Sequence, residues 1–111
     1  ERKYYPIEGW SLSLEDICEE GFSLRPHVVW FGEPVPMYEC AMEIIENADI
    51  LVVIGTSLQV YPAAGLVHYA RKARRKILID PIGHEMQLPA DFEIINGGAE
   101  KGMKQLVSNL T

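Results

Sequence analysis

Residues 48–66 read ADILVVIGTSLQVYPAAGL, and two kinds of structure meet in them. Ile50 to Ile54 is an unbroken apolar run of five, two of them valine, stopped by Gly55. A run this short, with no polar alternation, fits a central strand covered on both faces. After the loop Thr56–Tyr61, Pro62 opens a predicted helix that continues through Leu66, Val67 and Ala70, because proline suits a first helical turn. Strand, glycine turn and helix in that order form the first half of a parallel crossover unit.

The flanking segments repeat the alternation. Upstream, Pro34 to Ala48 places Met37, Cys40, Ala41, Ile44, Ile45 and Ala48 on one helical stripe, with Glu39, Glu43 and Glu46 off it. Cys40 thereby reads as a small core residue. Before this helix, His27 to Phe31 is β-branched and aromatic and stops at Gly32, as a buried strand does. Downstream, Arg71, Lys72, Arg74, Arg75 and Lys76 follow the second helix and suit the negative end of its dipole. A third strand, Ile77–Ile79, is closed by Asp80 and Pro81, and a fourth, Phe92–Ile95, precedes Asn96, Gly97 and Gly98. Met103, Leu106, Val107 and Leu110 mark a last helix. The expected fold is α/β: a three-layer, Rossmann-like parallel sheet with helices on both faces. Residues 1–23 lack a sustained period and read as loop, with one helical turn near Leu12 to Cys18 that Ser11 or Ser13 caps.

Composition narrows the function. The 111 residues carry a net charge of -6, with 48% hydrophobic and 23% charged residues, the profile of an ordinary globular chain. No apolar run approaches a membrane span, and the acidic balance offers no general attraction to nucleic-acid phosphates. Membrane and specific nucleic-acid partners are therefore not expected. With only Cys18 and Cys40, no disulfide framework is available, which points to a reducing, cytoplasmic setting.

Ligands of parallel sheets bind at the carboxyl ends of the strands. Here the expected ends are Phe31-Gly32-Glu33, Gly55-Thr56-Ser57, Asp80-Pro81 and Asn96-Gly97-Gly98. Gly55 permits a sharp turn and a close backbone approach, and Thr56 and Ser57 offer hydroxyls suited to phosphate or ribose oxygens. The same turn reads equally well as a plain strand-to-helix connection, and neither GxGxxG nor GxxxxGK[ST] occurs. In LRPHVVWFGE, residues 24–33, Trp30 and Phe31 stand beside a glycine turn, either as core or as the wall of a peptide groove. His27, His68 and His84 lack the spaced partners of a metal site or a triad.

Those two segments, LRPHVVWFGE and ADILVVIGTSLQVYPAAGL, resemble the sirtuin family of NAD-dependent protein deacylases, and the resemblance runs in order from Leu24 to the C-terminus. It implies that this chain is the C-terminal portion of such an enzyme, bacterial in character, with NAD and an acyl-lysine protein or peptide as its ligands. By the resemblance, Gly55, Thr56 and Ser57 hold the adenosine ribose and phosphate part of NAD. Asp80 takes the place of an asparagine that contacts the ribose, and Ala99 packs near adenine. Val29 and Phe31 meet the acyl-lysine, while Gly32, Glu33, Val60 and Tyr61 belong to the two loops along which the substrate peptide lies.

The departures carry expectations too. Of the cysteine pairs that hold zinc in the family's small module, only Cys18 is left, so residues 1–23 are expected to be a metal-free remnant of that module, and residues 24–111 the NAD- and peptide-binding part. The family's glycine-rich NAD loop, its asparagine-aspartate pair and its general-base histidine are not found in the 111 residues. The partner this implies is the N-terminal half of the same protein. Alone, the chain is expected to be inactive and to self-associate through surfaces which that half would cover. The alternative is a truncated, non-catalytic nucleotide- or peptide-binding module.

Overall fold

Three apolar segments pair in parallel in the order β1 (Ile50–Ile54), β2 (Arg75–Ile79), β3 (Phe92–Ile95). Val52 stands opposite Ile77, and Ile77 opposite Glu93. Because side chains alternate across a strand, the sheet has two apolar faces. On one, Val53 and Leu78 pack with Val67, Leu51, Leu58 and Phe92. On the other, Ile77 and Ile79 pack with Leu106, Met103, Val52 and Ile95. Ile77, Leu78, Ile79 and Leu106 are all essentially inaccessible, so the core lies along β2. The fold is α/β, with a Rossmann-like parallel sheet covered on both faces.

Helix α1 (Tyr38–Glu46) lies against the 3-10 segment Ala63–Tyr69, which covers the first face, and α2 (Ala99–Leu110) covers the second. Approach of α2 is close. A methyl group on Gly102 would fall inside the contact radius of Ile79 Cγ2.

The described residues are 3–111 of this computed structural model. They form two compact units, divided between Pro34 and Val35. The sequence-based division falls after residue 23, but residues 24–33 make their contacts within the first unit. The Leu24 amide donates to the Asp16 carbonyl at 2.9 Å, Ile17 bridges Ser23, and the His27 ring lies 4.4 Å from that of Tyr4. No described residue of this unit is buried. Lys3 pairs with Glu19 at 2.7 Å, and the Tyr5 hydroxyl donates to the same carboxylate. No helix among the described residues is long and apolar enough to cross a membrane.

Several expectations change. Residues 27–31 form no strand: no described strand pairs with them, and their amides bond locally, Val28 to the Pro26 carbonyl at 2.9 Å. Among the described residues the sheet therefore has three strands instead of the expected four. Leu12–Cys18 is a turn and not a helix, with the Asp16 amide donating to Ser13 at 3.2 Å. The second helix winds as a 3-10 helix, as befits a short, uncapped stretch containing Gly65 and a β-branched valine. Cys40 is exposed, because α1 turns Ala41 and Ile45 inward and leaves Met37, Cys40 and Ile44 outside. The basic cluster does not end a helix as a unit, since Arg75 and Lys76 open β2. There Arg75 forks onto Glu93 at 2.7 and 2.9 Å, and Lys76 meets Asp91 at 2.6 Å.

Candidate functional site

The carboxyl ends of the three strands are tied to one another. Gly55 donates its amide to the Ile79 carbonyl at 3.4 Å, Asp80 to the Ile95 carbonyl at 3.2 Å, and Gly97 to the Asp80 carbonyl at 3.3 Å. Gly55, Asp80 and Gly97 thus share one rim of the second unit.

Gly55 has φ of +65°, a conformation that glycine adopts without strain, and the space a Cβ would take there is open. Gly97 and Gly98 are equally open. Thr56 and Ser57 are exposed; the Thr56 hydroxyl accepts from the Leu58 amide at 3.1 Å and holds Leu58 at φ of +54°. Ala99 is the first residue of α2, whose N-terminus has no side-chain cap, while the Gly98 carbonyl accepts from Gly102 at 2.9 Å. Free amides at such a terminus favour anionic groups.

Asp80 is the hub of this rim. Its carboxylate Oδ1 accepts from the Ile82 amide at 2.9 Å, and its carbonyl also accepts from Gly83 at 3.2 Å. The short 3-10 turn Gly83–Glu85 follows, where a Cβ on Gly83 would sit 2.9 Å from Ile94 Cγ2. Beyond it, His84 Nδ1 lies 3.2 Å from Asn96 Oδ1 and links this turn to the one after β3. Sequence reasoning missed the His84–Asn96 pair, because the two are twelve residues apart and only the parallel order of β2 and β3 makes them neighbours.

Val60 and Tyr61 lie in the same unit and are exposed. The Val60 carbonyl accepts from Ala64 at 2.9 Å and starts the 3-10 segment. Tyr61 and Tyr38 flank Gly65, each 3.7 Å from the position of a Cβ there. Desolvation, with Tyr69 as neighbour, pushes the Tyr38 hydroxyl above the ordinary tyrosine range.

Val29, Phe31, Gly32 and Glu33 belong to the first unit. The Glu33 amide donates to the Trp30 carbonyl at 3.0 Å, and the Glu33 carboxylate accepts from the Trp30 amide at 3.3 Å. Gly32 takes φ of +84° inside this turn. Arg25 lies 3.3 Å from both Glu33 oxygens and braces it. Phe31 projects outward at 93% exposure, so within its own unit it is no core residue. Among the described residues, no three His, Cys, Asp or Glu side chains converge as metal ligands.

The chain resembles known proteins along most of its length. A family model described as Sir2 family matches residues 8–62. It is similar to an NAD-dependent protein deacylase of Bacteroides thetaiotaomicron, 42% identical over 99 residues, covering 89% of this chain and 42% of that protein. One from Helicobacter pylori is 41% identical over 99 residues, covering 89% of this chain and 43% of its own length. Among solved structures, a Sir2 homolog–NAD complex superposes with a TM-score of 0.66 at 37% identity, over 84% of this chain and 38% of that one. A Sir2 homologue mutant bound to ADP-ribose gives the same TM-score and identity over 39% of its chain. The chain spans about two fifths of the length of the relatives it matches.

Proposed function

Because the chain belongs to the Sir2 (sirtuin) family, we propose that it supplies the C-terminal part of an NAD-dependent protein-lysine deacylase. The observation that carries this reading is the single rim on which Gly55, Asp80 and Gly97 meet. Its chemistry fits a dinucleotide. Open glycine backbone admits a phosphate, Thr56 and Ser57 stand beside it, Asp80 can accept from a ribose hydroxyl, and Ala99 begins the helix next to it.

In this assignment Gly55, Thr56 and Ser57 hold the ribose and phosphate of the adenosine half. Val60 and Tyr61 offer backbone groups to a peptide substrate, and Val29, Phe31, Gly32 and Glu33 carry the acyl-lysine and peptide contacts of the first unit. NAD, when bound, supplies the ribose carbon that takes up the acyl oxygen as nicotinamide leaves. The chain's own task is to bind and orient, since no His-Gly pair suited to the general base occurs in its sequence. This portion holds two cysteines, fewer than a four-cysteine zinc site needs on its own, and we assign no zinc to it.

Titration of the 111-residue chain with ADP-ribose, followed by amide chemical shifts, tests the nucleotide assignment. Shifts centred on Gly55, Thr56, Ser57, Asp80, Gly97 and Ala99 are expected. A saturable response centred elsewhere, or none, contradicts it.

A further inference from the structure

The loops that follow β2 and β3 are held very differently. The first is a platform: Ile82 donates to Asp80 Oδ1 at 2.9 Å, Gly83 to the Asp80 carbonyl at 3.2 Å, Glu85 to Ile82 at 2.9 Å and Met86 to Gly83 at 3.1 Å. Gly83 is buried, where a Cβ would stand 2.9 Å from Ile94 Cγ2 and 3.1 Å from Leu78 Cδ2, and Met86 packs on the core of the first face. The second loop, Asn96–Gly98, has much less to order it. Nothing lies within 4 Å of a Cβ on Gly97 or Gly98, and glycine gives up more backbone freedom on ordering than any other residue. Among the described residues, its backbone tie to the platform is the 3.3 Å bond from Gly97 to the Asp80 carbonyl.

A side chain supplies the second tie. His84 Nδ1 lies 3.2 Å from Asn96 Oδ1. An amide oxygen accepts, so the imidazole donates from Nδ1. The other ring nitrogen, Nε2, is 3.6 Å from Glu85 Oε1 in His84's own turn, which leaves Nδ1 as the ring atom that reaches the next loop. We infer that His84 is a positioning residue: its bond to Asn96 carries the order of the 80–86 turn into the glycine pair, and so fixes the start of α2 where a nucleotide would meet it. The inference rests on the nucleotide reading above and needs no contact between His84 and the ligand. Its effect is preorganisation, since a loop fixed beforehand loses less freedom on binding.

The test compares ADP-ribose titrations of the 111-residue chain, read from the Gly55 and Ala99 amide shifts, with those of His84→Ala, His84→Asn, Asn96→Ala and the double alanine variant. An asparagine amide nitrogen stands close to the place of Nδ1, so His84→Asn keeps the donor. His84→Ala and Asn96→Ala should each weaken ADP-ribose about threefold to tenfold, as loss of one hydrogen bond does, while His84→Asn stays within about twofold of wild type. The double variant should lose no more than either single one, because the two residues act as one link. Hydrogen exchange gives the second readout: the Gly97 amide should exchange faster in His84→Ala and not in His84→Asn, with Leu78 protected equally in all. Wild-type affinity in His84→Ala, losses that add in the double variant, an equal loss in His84→Asn, or unchanged Gly97 exchange overturns the inference while leaving the nucleotide site standing. If ADP-ribose moves neither amide in the wild-type chain, the nucleotide reading fails and this inference with it.

Discussion

Gly97 donates its amide to the Asp80 carbonyl at 3.3 Å, which ties the turn before α2 to the end of the middle strand. The Asp80 side chain meanwhile holds the Ile82 amide. One residue therefore positions both loops of the rim, so its structural role and the ligand role proposed for it can be separated by substitution. Asp80→Ala should lower stability by about 1 kcal/mol, the usual cost of losing one such hydrogen bond. Asp80→Asn should stay close to wild type. Urea denaturation of both variants checks this, and equal losses would contradict it.

Gly102→Ala should destabilise the second unit, although alanine is the better helix former by about 1 kcal/mol. The added methyl meets Ile79, which is only 1% exposed and cannot move away. Overpacking of this kind costs about 1–3 kcal/mol and outweighs the helical gain. A lowered denaturation midpoint is expected, and a raised one would show that α2 does not approach β2 so closely.

Gly55→Ala tests the turn at the end of β1. Nothing crowds the new methyl, but φ of +65° is disfavoured for alanine by about 1 kcal/mol or more. Stability should fall by about that amount. ADP-ribose binding should weaken further, because the methyl occupies the open space assigned to the ligand. Unchanged affinity at reduced stability would remove Gly55 from the site.

The first unit has its own pH signature. Hydrogen bonds from Lys3, then from Tyr5, hold Glu19 down at about 2, against an ordinary 4.5. A lowered pKa contributes stability that is present above 4.5 and lost as pH falls toward about 2. The same hydrogen bond to Glu19 pushes Tyr5 up to about 12, so its contribution persists through neutral pH and is lost as pH rises through that value. Carboxyl chemical shifts should place the Glu19 midpoint well below 4.5. A Glu19 midpoint near 4.5 would dissolve the cluster.

What stays uncovered predicts self-association. Met37, just before α1, and Ile44 on it are 58% and 71% exposed, and among the described residues β1 pairs on one edge only. Sedimentation should show the average mass rising with concentration, and Ile44→Glu should suppress the rise. A monomer at all concentrations would contradict this.

The central part of the fold is legible in the sequence because the core lies where the apolar runs are. Ile50–Ile54 and Phe92–Ile95 appear at their expected bounds, and Ile77–Ile79 sits inside a strand that begins two residues earlier, at Arg75. That extension was hidden because a paired arginine and lysine look like a solvated helix end until Glu93 and Asp91 are placed across from them. His27 to Phe31 misled for the opposite reason. Their β propensity is real, but a strand also needs a neighbour, and the described residues offer none. Gly55, Asp80 and Ala99 can be picked out from strand ends and resemblance. The His84–Asn96 link depends on strand order, which no local pattern encodes.

The most direct test grafts this chain into a relative. Residues of the Bacteroides thetaiotaomicron deacylase that match this chain would be replaced by it, and NAD-dependent deacylation of an acetyl-lysine peptide measured beside the 111-residue chain alone. The predicted result is turnover by the chimera, dependent on NAD and lost with Gly55→Ala in the graft, and none by the isolated chain. A folded chimera that binds NAD but does not turn over, or deacylation by the isolated chain, would contradict the account.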